Sequence, residues 1–147
     1  MQILIDADAC PVTSIAVKLA EKYHIKCIVF CDTSHQIAES TAETVVVSKG
    51  ADSVDFALVN RAQKGDIVVT QDYGLAAMCL SKQASPIRQD GLLYTADNIE
   101  GLLHSRYTAG KIRRSGGRMK GPKKRTAQED AKFAQSLEKL ILFLKND

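Results

Sequence analysis

Three apolar residues, Ile3, Leu4 and Ile5, run straight into an acid, Asp6, and a second acid, Asp8, follows two positions later. An apolar run this short and unbroken is the pattern of a strand covered on both faces, as in a parallel sheet. If the chain stays extended past Asp6, the period of two places both carboxylates on one side. Pro11 then suits the first turn of a helix, where its missing N–H costs nothing. A buried strand thus ends in two acids at a strand-to-helix junction, the edge of an open α/β sheet where ligands bind. The competing account makes Asp8 a helix cap or a solvated turn residue. Two acids at the end of a buried strand repel each other unless something positive sits between them.

The pattern repeats down the chain. Val12, Ile15, Ala16, Leu19 and Tyr23 recur at helical spacing, and Ile25–Cys31 reads as a second strand ending at Asp32. Thr44–Ser48 is a short β-branched strand. Asp52 is placed to cap the next helix, with Asp55 in its first turn and Val54, Ala57, Leu58 and Ala62 as its buried stripe. Ile67–Thr70 is another buried strand, and Asp72 stands beyond it as Asp6 stands beyond the first. Pro86–Arg88 and Leu92–Tyr94 read as short strands, and Thr95 as the cap of a helix running through Ile99, Leu102, Leu103 and Tyr107. The order of elements predicts an α/β fold, with a mostly parallel sheet flanked by helices on both faces.

Charge separates the chain into unlike parts. Nine Lys or Arg and no acid lie between Arg106 and Arg125, leaving 11 basic and 17 acidic residues on the other 127. A basic stretch on an acidic body points to a polyanion partner. Gly116, Gly117, Gly121 and Pro122 predict a loop over 111–125 in which Arg113, Arg114, Arg118, Lys120, Lys123, Lys124 and Arg125 contact phosphates. Aromatic residues are only 5% of the chain, so base stacking is not expected and the loop reads backbone. Thr126 and Glu129 form a capping box, and Phe133, Leu137, Leu140, Ile141 and Leu144 give a helix that must dock its stripe on the body. The expected organisation is one domain: an α/β core over 1–110, the basic loop over 111–125 and a docked helix over 126–147.

No apolar run reaches the roughly 18 residues of a membrane span, and the opening strand carries Asp6, which suits neither a signal nor a transit peptide. A cytoplasmic location is therefore expected. Cys10, Cys27, Cys31 and Cys79 lack zinc-site spacing and read as reduced core thiols. Asp6, Asp8, Asp55 and Asp72 together form an all-oxygen set suited to Mg²⁺ or Mn²⁺.

At these residues the chain resembles a known family. Ile-Leu-Ile-Asp6-Ala-Asp8-Ala-Cys-Pro11, Gly50-Ala-Asp52-Ser-Val-Asp55 and Gly65-Asp-Ile-Val-Val-Thr-Gln-Asp72-Tyr-Gly-Leu75 are similar to segments of the YaiI/YqxD family of small bacterial proteins. Asn98-Ile99, Arg113-Arg114 and Gly121-Pro122 fit it too. That family has no established activity and is grouped with PIN-like domains, metal-dependent nucleases that resemble flap endonucleases. The resemblance implies a PIN-like fold, catalytic and metal-binding roles for Asp6, Asp55 and Asp72, and RNA rather than DNA as substrate. PIN nucleases place a further acid in an early helix; Glu39 and Glu43 are candidates, Asp52 is another, and Asp8 is a substitute. Two other functions compete. Asp6-x-Asp8 is also the nucleophile-and-acid pair of haloacid-dehalogenase-like phosphatases, with Thr33 or Ser34 as the second motif, but Ala9-Cys10 replaces the usual Gly-Thr. A non-catalytic RNA-binding protein would keep the acids for a structural ion and use the basic loop alone.

Overall fold

The computed structural model describes residues 1–7, 10–32, 42–47, 53–114 and 125–146. Its first strand, β1 (Gln2–Asp6), is the apolar run expected, and Ile3, Leu4 and Ile5 are wholly buried. The pleat sends Ile3 and Ile5 into one core and Leu4 into another. Both faces of the strand are therefore covered.

Helix α1 (Thr13–Lys22) follows, then β2 (Lys26–Asp32) and β3 (Glu43–Val47). Next come α2 (Ser53–Arg61), β4 (Ile67–Val69), α3 (Tyr73–Ser81) and β5 (Ser85–Ile87), and finally α4 (Ala96–Arg114) and α5 (Ala127–Lys145). The five strands form one sheet in the order β3-β2-β1-β4-β5. Every pairing in it is parallel, with Ile5 beside Val29 on one flank and Val69 on the other. The strand order runs outward from β1 to β3, then resumes on the opposite flank with β4 and β5. The reversal falls between β1 and β4, so their carboxyl ends bound the crevice in which sheets of this type place ligands.

Helices cover both faces. Val12, Ala16, Val17 and Ala20 of the α1 segment pack with Phe133, Leu137, Leu140 and Ile141 of α5 over Ile3, Ile5 and Val29. Across the sheet, Val54, Leu58 and Ala62 join Leu75 and Cys79 over Leu4, Ile28, Phe30 and Val68. Helix α4 packs on α3 through Ile99, Tyr94 and Ala76. Phe133, Leu137 and Ile141, spaced by four, are wholly buried, and each such side chain contributes about 1.5–3 kcal/mol. Leu144 is only partly buried. Glu138 adds a clasp at the far end of the α1–α5 pair, accepting hydrogen bonds from Lys22 Nζ and Tyr23 Oη, each at 2.9 Å.

Local chemistry explains the boundaries and moves some of them. Thr126 caps α5, its hydroxyl accepting from Glu129 N at 3.3 Å. Thr95 and Asn98 cap α4 reciprocally, at 3.2 Å and 2.9 Å. Helix α1 begins at Thr13 with Val12 at its N-cap, so Pro11 precedes the first turn instead of lying in it. The Leu92–Tyr94 strand shrinks to a single antiparallel bridge between Ile87 and Leu93. Lys111–Arg114, expected in the basic loop, continue α4 past the single Gly110, because Lys and Arg are good helix formers and the glycine pair Gly116-Gly117 comes only after them. The segment 115–124 and Asp52 lie outside the described residues. Cys27, Cys31 and Cys79 are buried and Cys10 half-buried, all as free thiols. Burial pushes the Cys79 thiol up to about 11. Among the described residues no helix is long and apolar enough to cross a membrane.

Candidate active site at the carboxyl edge of the sheet

Asp6 is the last residue of β1, and Thr70 stands immediately beyond β4, the neighbouring strand. The Thr70 hydroxyl donates to Asp6 Oδ2 at 2.9 Å and accepts from the main-chain N–H of Asp72 at 3.0 Å. One buried hydroxyl therefore ties the two acids across the crevice. Thr70 is itself held at both main-chain groups: its N–H donates to Ile87 O at 3.1 Å, and its carbonyl accepts from Tyr94 Oη at 3.1 Å. Thr70 is 1% exposed and Tyr94 3% exposed, so these bonds are shielded from water. Burial pushes the Tyr94 phenol well above its ordinary value, which keeps it a donor to Thr70.

Asp72 has a second task. It is the N-cap of α3, Oδ1 accepting from Leu75 N at 3.1 Å. Gly74 stands against that oxygen, and a Cβ there would come within 3.2 Å of it. Beside the cap, the Tyr73 and Tyr94 rings meet edge to face at 5.9 Å. Arg88 donates to both carboxylate oxygens of Asp90, at 2.9 Å and 2.7 Å, and to Tyr73 Oη at 3.3 Å. The paired guanidinium holds the Asp90 carboxyl below its ordinary value.

The other expected acids do not assemble in the same way. Asp55 lies in the first turn of α2, on the α2–α3 side of the sheet, where the Cys79 thiol feels its charge. Asp8 lies outside the described residues, as do Glu39 and the phosphatase candidates Thr33 and Ser34. Among the described residues no three His, Cys, Asp or Glu side chains are grouped so as to hold a metal ion. Glu43, a candidate for the further acid, opens β3 and so lies at the amino edge, paired with Arg61 at 3.1 Å. Parallel pairing fixes that outcome, since only the last residues of the strands reach the edge of Asp6. Asp66 is also at the amino edge, 4% exposed, and takes hydrogen bonds from Gln2 N, Gln2 Nε2 and Gln63 N at 2.9–3.1 Å. It bounds a cleft of about 390 Å³ there, but its oxygens are already committed to holding β1 to the α2–β4 turn.

The basic residues are treated unequally. Arg118, Lys120, Lys123 and Lys124 lie outside the described residues, and Arg113 and Arg114 are described only as the last backbone turn of α4. Arg125, expected as a flexible phosphate contact, is instead held in place with its side chain only 18% exposed. Nε pairs with Asp130 at 2.6 Å, Nη2 donates to Gln89 O at 2.7 Å, and Glu129 lies 3.8 Å from Nη1. Glu129 and Asp130 favour the first turn of α5 because of its dipole, and that puts them within reach of the residue before the cap.

Sequence reasoning placed Asp6 and Asp72 at this edge but gave Thr70, Tyr94, Arg88 and Gln89 no part in it. A Thr at the end of an apolar run, two residues before an acid, was the available signal for Thr70. Arg88 and Asp90, two apart across a turn, offered none.

A parallel, doubly covered sheet with acids at the switch between β1 and β4 defines a PIN-like α/β domain. The family model described as "Uncharacterized BCR, YaiI/YqxD family" matches residues 4–142, and the chain belongs to that family. A UPF0178 protein of Exiguobacterium sibiricum is 51% identical over 141 residues, covering 96% of each chain. UPF0178 proteins of Clostridium acetobutylicum and Ruminiclostridium cellulolyticum are 46% and 49% identical, covering 97% and 99% of this chain and 97% and 93% of their own. No solved structure matches the chain.

Proposed function

We propose that the chain is a Mg²⁺- or Mn²⁺-dependent nuclease acting on phosphodiester bonds of RNA at the carboxyl edge of its sheet. The observation that carries this reading is the Asp6–Thr70–Asp72 link, in which one buried hydroxyl joins the carboxylate at the end of β1 to the main-chain N–H of Asp72, the acid that caps α3 just beyond β4. The donor chemistry fits the ion. Mg²⁺ takes one or two carboxylates and fills its remaining positions with water and phosphate oxygens. Cys10, the soft donor nearest in sequence, has its thiol pushed up by burial, which disfavours the thiolate that zinc prefers. Asp6 and Asp72 would hold the ion, with Asp8 and Asp55 as the further acids the sequence nominates. Bound there, the ion supplies Lewis-acid stabilisation of the charge that builds on a phosphodiester.

The chain's own residues do the positioning. Thr70 fixes the rotamer of Asp6, and the α3 cap fixes that of Asp72, so neither carboxylate must be ordered when substrate arrives. The basic residues from Arg113 to Lys124 draw in the phosphate backbone without reading sequence. The RNA preference comes from the likeness to PIN-like domains.

The test uses wild type and Asp6→Asn, each given labelled single-stranded RNA and a chromogenic phosphate ester, with Mn²⁺ and with EDTA. RNA cleavage should need Mn²⁺ or Mg²⁺, stop with EDTA and vanish in Asp6→Asn, while RNA binding persists. Cleavage that survives Asp6→Asn would come from a contaminant and removes the nuclease reading. Hydrolysis of the ester alone would favour the phosphatase, and RNA retention without cleavage the pure binder.

A further inference from the structure

Where the chain enters α5, two solvent-shielded polar atoms of opposite character have no hydrogen-bond partner among the described residues: Nη1 of Arg125, a donor, and Oε1 of Gln89, an acceptor. Their residues touch, because Arg125 Nη2 donates to the Gln89 carbonyl at 2.7 Å. Asp130 occupies Nε at 2.6 Å, and Glu129, 3.8 Å from Nη1, is too far for a hydrogen bond. A buried donor and a buried acceptor left unmade are each costly, and such atoms in a native chain call for a partner.

Their position in the fold suggests which partner. Gln89 lies two residues beyond β5, which pairs with β4, so it stands on the same carboxyl edge as Thr70. Arg125 is held to that same turn by its bond to the Gln89 carbonyl. A phosphate oxygen would answer Nη1 but be repelled by the Gln89 oxygen, and two acids already balance the Arg125 charge. A hydroxyl both donates and accepts, and answers both atoms at once. In a polynucleotide that group is the ribose 2′-hydroxyl, the feature by which proteins tell RNA from DNA. Gln89 as a whole is only half-buried, so its exposed part borders the surface from which a sugar would approach.

We infer that Gln89 and Arg125 form a sugar-hydroxyl subsite beside the Asp6–Asp72 edge, through which the chain selects ribose over deoxyribose. The inference rests on the nucleic-acid reading above and adds to it the residues that choose the substrate class.

The test compares binding of a single-stranded RNA with a DNA of the same sequence carrying deoxyuridine for uridine, so that only the 2′-hydroxyl differs. EDTA prevents cleavage. Gln89→Met keeps the main-chain carbonyl that holds Arg125 and removes Oε1; Arg125→Lys keeps the charge and removes Nη1. Wild type should prefer the RNA, and Gln89→Met should reduce that preference by about tenfold while leaving DNA affinity unchanged. Arg125→Lys should do the same, and if it fails to fold, Gln89→Met alone decides. Equal weakening for both polymers, or no RNA preference in wild type, overturns the subsite and leaves the pair bridged by a structural water. Wild type that binds neither polymer overturns the nucleic-acid reading itself, and the subsite with it.

Discussion

Asp72 performs two jobs that substitution can separate. Asn caps helices about as well as Asp, so Asp72→Asn should keep the bond to Leu75 N and melt close to wild type without metal, whereas Asp72→Ala should lose about 1 kcal/mol. Both should lose any Mn²⁺-dependent cleavage, since both remove the charge. Urea titrations of the metal-free variants measure the difference, and a large loss in Asp72→Asn would make the residue structural. Asp90 gives a pH-dependent counterpart. Arg88 lowers its folded pKa below 3.8, so its contribution is present above that unfolded value and is lost as pH falls from there through the lowered one. The carboxylate is 37% exposed, which screens the effect to well under about 1 kcal/mol. Asp90→Asn should therefore make stability below about pH 4 slightly less steep in pH. An unchanged slope would show that Arg88 and Asp90 do not pair in solution. Strand-end acids were legible in the sequence because each follows an apolar run. The Thr70 bridge was not, because it depends on β1 and β4 being neighbours although more than 60 residues separate them.

Helix α5 shows what amphipathic spacing can and cannot reveal. Phe133, Leu137, Leu140 and Ile141 announced a docked helix, and those four side chains are buried. Nothing in the spacing said that the turn after β5 would fit against the same helix. Gly91, at φ +92°, packs so closely there that a Cβ would lie 2.9 Å from Lys132 O, while Ser136 Oγ donates to Gly91 O at 2.6 Å. Gly91→Ala should therefore destabilise by about 2 kcal/mol, through strain at positive φ and through displacement of α5. Thermal melts check this, and a loss smaller than that of Gly65→Ala would sink the contact, because Gly65 has φ +86° but open space around it. The end of α4 lies further along the chain than polarity alone suggests. Basic residues are good helix formers, so Lys111–Arg114 extend α4 past the single Gly110, and the glycine pair Gly116-Gly117 follows them.

Over the whole molecule, the sheet order joins charge to fold. The reversal between β1 and β4 gathers Asp6 and Asp72 at one crevice, the turn after β5 brings Gln89 to the same edge, and α5 returns the chain to it at Arg125. Apolar runs and their spacing made the layers readable; strand order was not, because every strand is similarly apolar and the pairing depends on long-range packing. If carboxylates share that crevice, they repel when no cation is present, and an ion that binds only the folded chain stabilises it by mass action. At Mn²⁺ one hundred times above its dissociation constant the gain is about 2.7 kcal/mol, several degrees in melting temperature for a chain this size. Wild type should show that rise with Mn²⁺, and Asp6→Asn and Asp72→Asn should lose most of it. Glu43→Gln removes a carboxylate at the amino edge, where it pairs with Arg61, and should keep the full rise. Equal rises in all four proteins would mean that the ion binds elsewhere, and the carboxyl edge would then have no claim to be a metal site.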